Sequence, residues 1–186
     1  MVSKLVDDWV YGGFLAALML AISSIGLARY LPLPLLLVFL MMPAYMLHQA
    51  EEHFGNRLRD FLDREIGGGR SVLTNFDIFV VNVPGVWALF AFSMALAAAV
   101  DIGFGLVPAY AALLNVPAHV APAIKMRRSN PGLVTAVLLL LPLSVWLIAA
   151  VSLKGVAWYW HVLALAVAIG AHGLILWHAA RRLSPG

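Results

Sequence analysis

Six apolar runs constrain this chain more than any other feature, because each is about as long as a helix needs to cross the hydrocarbon of a bilayer. Divided at charges, Gly and Pro, they cover roughly Trp9–Ala28, Pro32–Phe54, Asn75–Val100, Gly103–Lys125, Gly132–Leu153 and Val156–Ala180. In lipid, backbone groups must bond within the protein, so runs of this length are expected to be helices. The predicted fold is all-α: a polytopic membrane bundle of six transmembrane helices, one integral domain over residues 1–186. Composition agrees. Of 186 residues, 63% are hydrophobic and 11% charged, against about 25% charged in soluble domains. The mean hydropathy of +0.93 excludes a soluble globular enzyme and a disordered chain. Twelve basic residues against nine acidic ones are too few and too scattered for a nucleic-acid footprint. Cysteine is absent, which removes disulfides, thiolate metal sites and a cysteine nucleophile.

Six spans make sense of the basic residues. Lys4, then Arg57, Arg59, Arg64 and Arg70, then Lys125, Arg127 and Arg128, then Arg181 and Arg182 fall on one side; only Arg29 and Lys154 fall on the other. The positive-inside rule therefore places both termini in the cytoplasm. The acidic Asp7 and Asp8 and the lack of a clear small-x-small site favour a retained first helix over a signal peptide. Residues 55–73 form the long loop. Leu58, Phe61, Leu62 and Ile66 are spaced for an amphipathic helix on the cytoplasmic interface. Gly67-Gly68-Gly69 follows it; with no strand before and no GK[ST] after, it is not a phosphate loop.

Ionisable residues inside spans suggest function by default. On the second helix, Tyr45, His48, Glu51 and Glu52 fall within an arc of about 120° at 100° per residue, while His53 points elsewhere at the mouth. On the fourth, Asn115 and His119 are four residues apart and share a face. Beside them Pro108, Ala111, Ala112 and Pro122 leave room for a ligand or for close helix packing. Asn82 on the third helix and His172 on the sixth complete the set, all in the cytoplasmic half. Asp77 is expected to cap its helix, and His161 to sit at the outer interface with Trp158, Tyr159 and Trp160. A polar cluster at one depth implies a cavity open to the cytoplasm or inner leaflet, not a transmembrane ion path.

Two histidines and one or two carboxylates suit Zn²⁺ or Fe²⁺, and bundles build such sites from i, i+3 and i+4 pairs. His48, Glu51, Glu52 and His119 are the candidate metal ligands and catalytic groups, for one divalent metal. Tyr45, Asn82, Asn115 and His172 are candidates for supporting or substrate contacts. The partners expected are membrane lipid and a hydrophobic small molecule. A metal-free alternative uses Glu51 or Glu52 as general acid and His48 or His119 as base in a lipid isomerase or cyclase, with Trp87 and Trp177 stabilising a cation. A third reading is a cation or small-molecule binding or transport protein. The bland reading pairs Glu51 and Glu52 with Arg57 or Arg59 and gives Asn82 and Asn115 to helix–helix hydrogen bonds.

His48-Gln49-Ala50-Glu51-Glu52 resembles the signature of the HXXEE family of small bacterial integral membrane proteins. Asp77 to Val83, Asn115 to His119 and Arg127 to Thr135 resemble its other blocks, so the likeness extends from about Pro43 to Pro142. It implies a protein of the bacterial cytoplasmic membrane and supports the site without supplying a reaction. It leaves out the first and last helices, with His172 and His178. Asn130-Pro131-Gly132 is expected to be a turn, with Pro131 opening the fifth helix.

The orientation is testable. Alkaline phosphatase fused to the C-terminus is expected to stay inactive and a fluorescent protein there to fluoresce; the opposite pattern overturns a cytoplasmic C-terminus.

Overall fold

The computed structural model describes residues 2–184. Its helices, among the described residues, are α1 (Val2–Leu27), α2 (Leu33–His53), α3 (Arg57–Glu65), α4 (Asn75–Ala99), α5 (Leu106–Met126), α6 (Leu133–Ser152) and α7 (Trp158–Leu183). Six helical stretches are long and apolar enough to cross a membrane. The chain is an all-helical membrane bundle, and the amphipathic helix expected in the long loop is α3. Since six spans are even in number, the termini share one side.

The ends of these helices follow from local chemistry. Pro32 is the N-cap of α2. Thr74 begins α4 with a capping box: its hydroxyl oxygen accepts from the Asp77 N–H at 3.1 Å, and the Asp77 carboxylate accepts from the Thr74 N–H at 2.8 Å. Asp77 is thus the capping residue expected. Helix α1 starts well before Trp9, because no Gly or Pro interrupts Ser3 to Asp8 and a helix needs no apolar residues outside the hydrocarbon. Helix α6 starts at Leu133, not at Pro131, because Gly132 takes φ 92° and breaks the turn before it.

Two spans carry π-helical segments, Val81–Trp87 in α4 and Ala136–Leu140 in α6. Pro84 lies in the first, and Pro142 follows the second closely. Proline lacks an N–H and crowds the carbonyl four residues back, so a local widening relieves it.

Contacts between elements distinguish the two ends of the bundle. At one end Asn75 donates to Asp7 (2.9 Å), Arg59 donates to Asn75 (2.6 Å) and Arg70 donates to the Leu183 carbonyl (2.8 Å). There also Asp77 meets His178 at 3.2 Å and Arg182 at 3.5 Å, and Arg128 pairs with Glu65. The N-terminal segment, both basic loops and the C-terminal helix therefore meet at one end. At the other end the Tyr110 hydroxyl meets His161 at 3.0 Å, and Phe104 packs edge-on against Trp160.

Helices α2 and α5 form the interior. Helix α2 packs against α1, α4, α5 and α6, and α5 against α2, α4, α6 and α7. Leu37, Met41, Leu106, Ala109 and Ala112 are completely buried between them and their neighbours. Ala109 and Ala112 therefore serve close helix approach, whereas Met19, Ile22, Phe92, Leu174 and Leu176 face outward, as lipid contact requires. Ala112→Leu is expected to lower stability by about 1–3 kcal/mol through overpacking, measured as thermal unfolding in detergent.

Candidate metal centre

The i, i+4 spacing of His48 and Glu52 puts both side chains on the face of α2 that meets α5. Asn115 and His119 answer from α5 with the same spacing. His48 is fully buried, His119 4% exposed and Glu52 6% exposed. Glu52 Oε1 lies 3.4 Å from His48 Nε2 and 3.1 Å from His119 Nε2. One ligand atom from each of these three residues lies within 4.8 Å of the others. Ligands at about 2.0–2.1 Å around a tetrahedral metal are about 3.3 Å apart, so the two distances have the scale of edges of such a site.

The histidine protons can be placed from their partners. Asn130 donates from Nδ2 to the His119 carbonyl at 2.7 Å, which turns its Oδ1 toward His119 Nδ1 at 3.0 Å. His119 Nδ1 therefore carries hydrogen and donates, which in a neutral ring leaves the lone pair on Nε2. His48 Nδ1 lies 2.8 Å from Thr135 Oγ1, and its Nε2 accepts from Asn115 Nδ2 at 2.7 Å. Asn115 Nδ2 is also 3.4 Å from His119 Nε2. Two ring nitrogens thus approach one carboxylate oxygen, with the Asn115 amide beside both. Acceptors do not converge in a buried space unless a cation, proton or metal, lies among them.

Glu51 lies outside this group. Its carboxylate accepts from Val134 N–H (3.2 Å), Thr135 N–H (2.7 Å) and the Thr135 hydroxyl (2.5 Å) at the start of α6. Neither arginine of the bland reading reaches the two glutamates: Arg57 donates to the Phe54 carbonyl, and Arg59 pairs with Asn75 and Asp60. Tyr45 packs edge-on against His48 with ring centroids 5.6 Å apart. Asn82 adjoins the site at one remove, accepting from Gln49 Nε2 at 2.7 Å. His172 is not brought to the site. It bonds the Ala168 carbonyl of its own helix, because α7 packs on the outer side of α5. Trp177 is 54% exposed beneath Arg181, so it stabilises no buried cation; the Trp87 indole donates to Gln49 Oε1 at 2.7 Å.

Sequence reasoning missed four contributors. His53 is buried, not at an open mouth: its Nε2 is 3.5 Å from Glu52 Oε2, and the Trp9 ring packs against it at a tilt, with centroids 5.3 Å apart. Its displacement from the motif's face is offset by Glu52, whose second oxygen turns toward it. A cavity of about 20 Å³ beside His53, edged by Asp7, Asn56, Arg59 and Asn75, has room for about one water. Gln49, between the motif's named residues, is buried and its amide is satisfied by Asn82 and Trp87. Asn130 and Thr135 were placed in a turn and a span without a role, and only the fold brings them to the rings of His119 and His48.

Gly132 closes the site from the loop side. A Cβ there would lie 2.5 Å from His119 Cε1 and 2.7 Å from Glu52 Cγ. Gly132→Ala combines a left-handed φ with that collision, and a loss of about 1–3 kcal/mol is expected from the backbone alone. Gly170→Ala, with open space around it, is the control expected to be neutral; thermal unfolding compares the two.

The family model described as "Protein of unknown function with HXXEE motif" matches residues 39–147, more than half of the chain. Comparison with curated proteins and with solved structures finds no match.

Proposed function

We propose that this chain, which belongs to the HXXEE-motif family of unknown function, is an integral membrane metalloenzyme with one divalent metal held by His48, Glu52 and His119. The observation that carries this reading is the convergence of two imidazole nitrogens on a single buried carboxylate oxygen. The donor set fits Zn²⁺ or Fe²⁺. Three protein ligands are typical of catalytic sites, in which a metal with an open position polarises the water or substrate bound there. Asn115 lies beside both histidines, with Nδ2 2.7 Å from His48 Nε2 and 3.4 Å from His119 Nε2, and its amide can donate or accept according to which end is turned inward.

The substrate is hydrophobic or lipid-like and comes from the cytoplasmic leaflet of the bacterial membrane. An outward-facing apolar groove of about 500 Å³ supports this, lined by Val120, Ala123, Ile124, Val134 and Val137 with Arg128 at its edge. Its wall includes Val134, whose N–H donates to Glu51, so groove and site share the first turn of α6. An arginine beside an apolar groove suits an anionic headgroup above an acyl chain. Positive residues at that end of the bundle favour its placement in the cytoplasm.

The 3.1 Å approach of His119 Nε2 to Glu52 Oε1 also favours a second reading, metal-free acid–base catalysis with a proton in place of the metal. Metal analysis separates the two. Purified protein is expected to carry close to one Zn or Fe per chain, and His119→Ala and Glu52→Gln to lose it. Stripped wild-type protein that takes up neither metal on titration overturns the metalloenzyme.

A further inference from the structure

We infer that Thr135 and Glu51 form a positioning relay that fixes the hydrogen of His48 on Nδ1, so that Nε2 is the nitrogen that would hold the metal, and so sets the affinity of the site; this rests on the metal-centre reading above. Thr135 Oγ1 lies between two partners, His48 Nδ1 at 2.8 Å and Glu51 Oε2 at 2.5 Å. A carboxylate only accepts, so the single hydroxyl proton goes to Glu51. The hydroxyl can then only accept from the ring, and the ring hydrogen must sit on Nδ1. In the neutral imidazole that leaves the lone pair on Nε2, the atom 3.4 Å from Glu52 Oε1.

The relay is anchored. Backbone N–H groups of Val134 and Thr135 hold the Glu51 carboxylate at the first turn of α6, where the helix dipole favours negative charge. Glu51 therefore has no freedom to release the hydroxyl without giving up two further bonds. This accounts for adjacent glutamates in one motif. Glu52 follows His48 by four residues and shares its face; Glu51 is turned about 100° away, toward α6, and acts on His48 from behind. Outer partners of ligating histidines orient the ring and raise its basicity, and their loss costs about 10–100-fold in metal affinity.

The test is chelator-competed titration of metal-free protein in detergent with Zn²⁺ and with Co²⁺. Thr135→Val is expected to bind both about 10–100-fold more weakly than wild type, whereas Thr135→Ser, which keeps the hydroxyl, is expected to stay within about threefold. Thr135→Val with wild-type affinity overturns the relay, and so does Thr135→Ser as weak as Thr135→Val. If Thr135→Val does not fold, Glu51→Ala replaces it. The amide of Glu51→Gln can leave only one acceptor oxygen for the three donors that Glu51 holds, whereas Glu51→Ala removes the acceptor altogether. Weakening of about 10–100-fold is expected in Glu51→Ala, and unchanged affinity in it overturns the relay. Wild-type protein that binds neither metal defeats the metal centre itself, and the ¹⁵N shifts of the His48 ring then decide the relay. Hydrogen on Nδ1 in wild type supports it; hydrogen on Nε2 overturns it.

Discussion

A carboxylate that is buried in a membrane bundle must be matched by positive charge or be neutralised, and the interior of this protein is arranged around that requirement. Glu52 is 6% exposed, and nitrogens of three imidazoles, from His48, His53 and His119, lie within 3.5 Å of its oxygens. Around them lies a shell of neutral polar groups: Asn115 on α5, Asn130 in the following loop, Thr135 at the start of α6, and Asn82 on α4, which reaches His53 and Gln49. Neutral partners can orient imidazoles without competing for Glu52, as an arginine would. Arg128, Arg59, Arg57 and Arg70 bond elsewhere, to Glu65, Asp60 and backbone carbonyls.

Irregular backbone delivers several of these groups. The π-helical segment with Pro84 contains Asn82 and Trp87 and turns both toward Gln49. The second π-helical segment begins right after Thr135. Such widened turns are frequent at functional sites. Gly132 permits the tightest approach, with the backbone passing against His119 and Glu52 where any side chain would collide. The outer helices α1 and α7 are regular by comparison. Helix α1 still contributes Trp9, which covers His53, while α7 contributes contacts at the two ends of the bundle through His161, His178 and Arg182.

Much of this is legible in the amino-acid sequence. Hydropathy located six spans to within a few residues, except where polar residues extend α1 beyond the hydrocarbon. The i, i+4 spacings brought out His48 with Glu52 and Asn115 with His119, because spacing along a helix fixes a shared face. The same arithmetic separated Glu51 from Glu52 by about 100°, yet proximity in sequence grouped them as ligands. His53 was set aside by that arithmetic, although a carboxylate has two oxygens and can serve partners on two faces. His172 was included on depth alone, and depth carries no information about which neighbour a helix faces.

The amino-acid sequence by itself determined that this chain is a membrane bundle with polar groups gathered at one depth. Apolar run length and helical periodicity are local properties, and the bilayer converts them directly into spans and faces. Tertiary structure decided which polar groups meet. It placed Asn130 and Thr135 behind the two histidines, sent Glu51 to the start of α6, and moved His172 out of reach. Those outcomes depend on which helices pack together and on how one glycine lets a loop lie against a buried carboxylate. Neither property is periodic along the chain, so neither could be read from it.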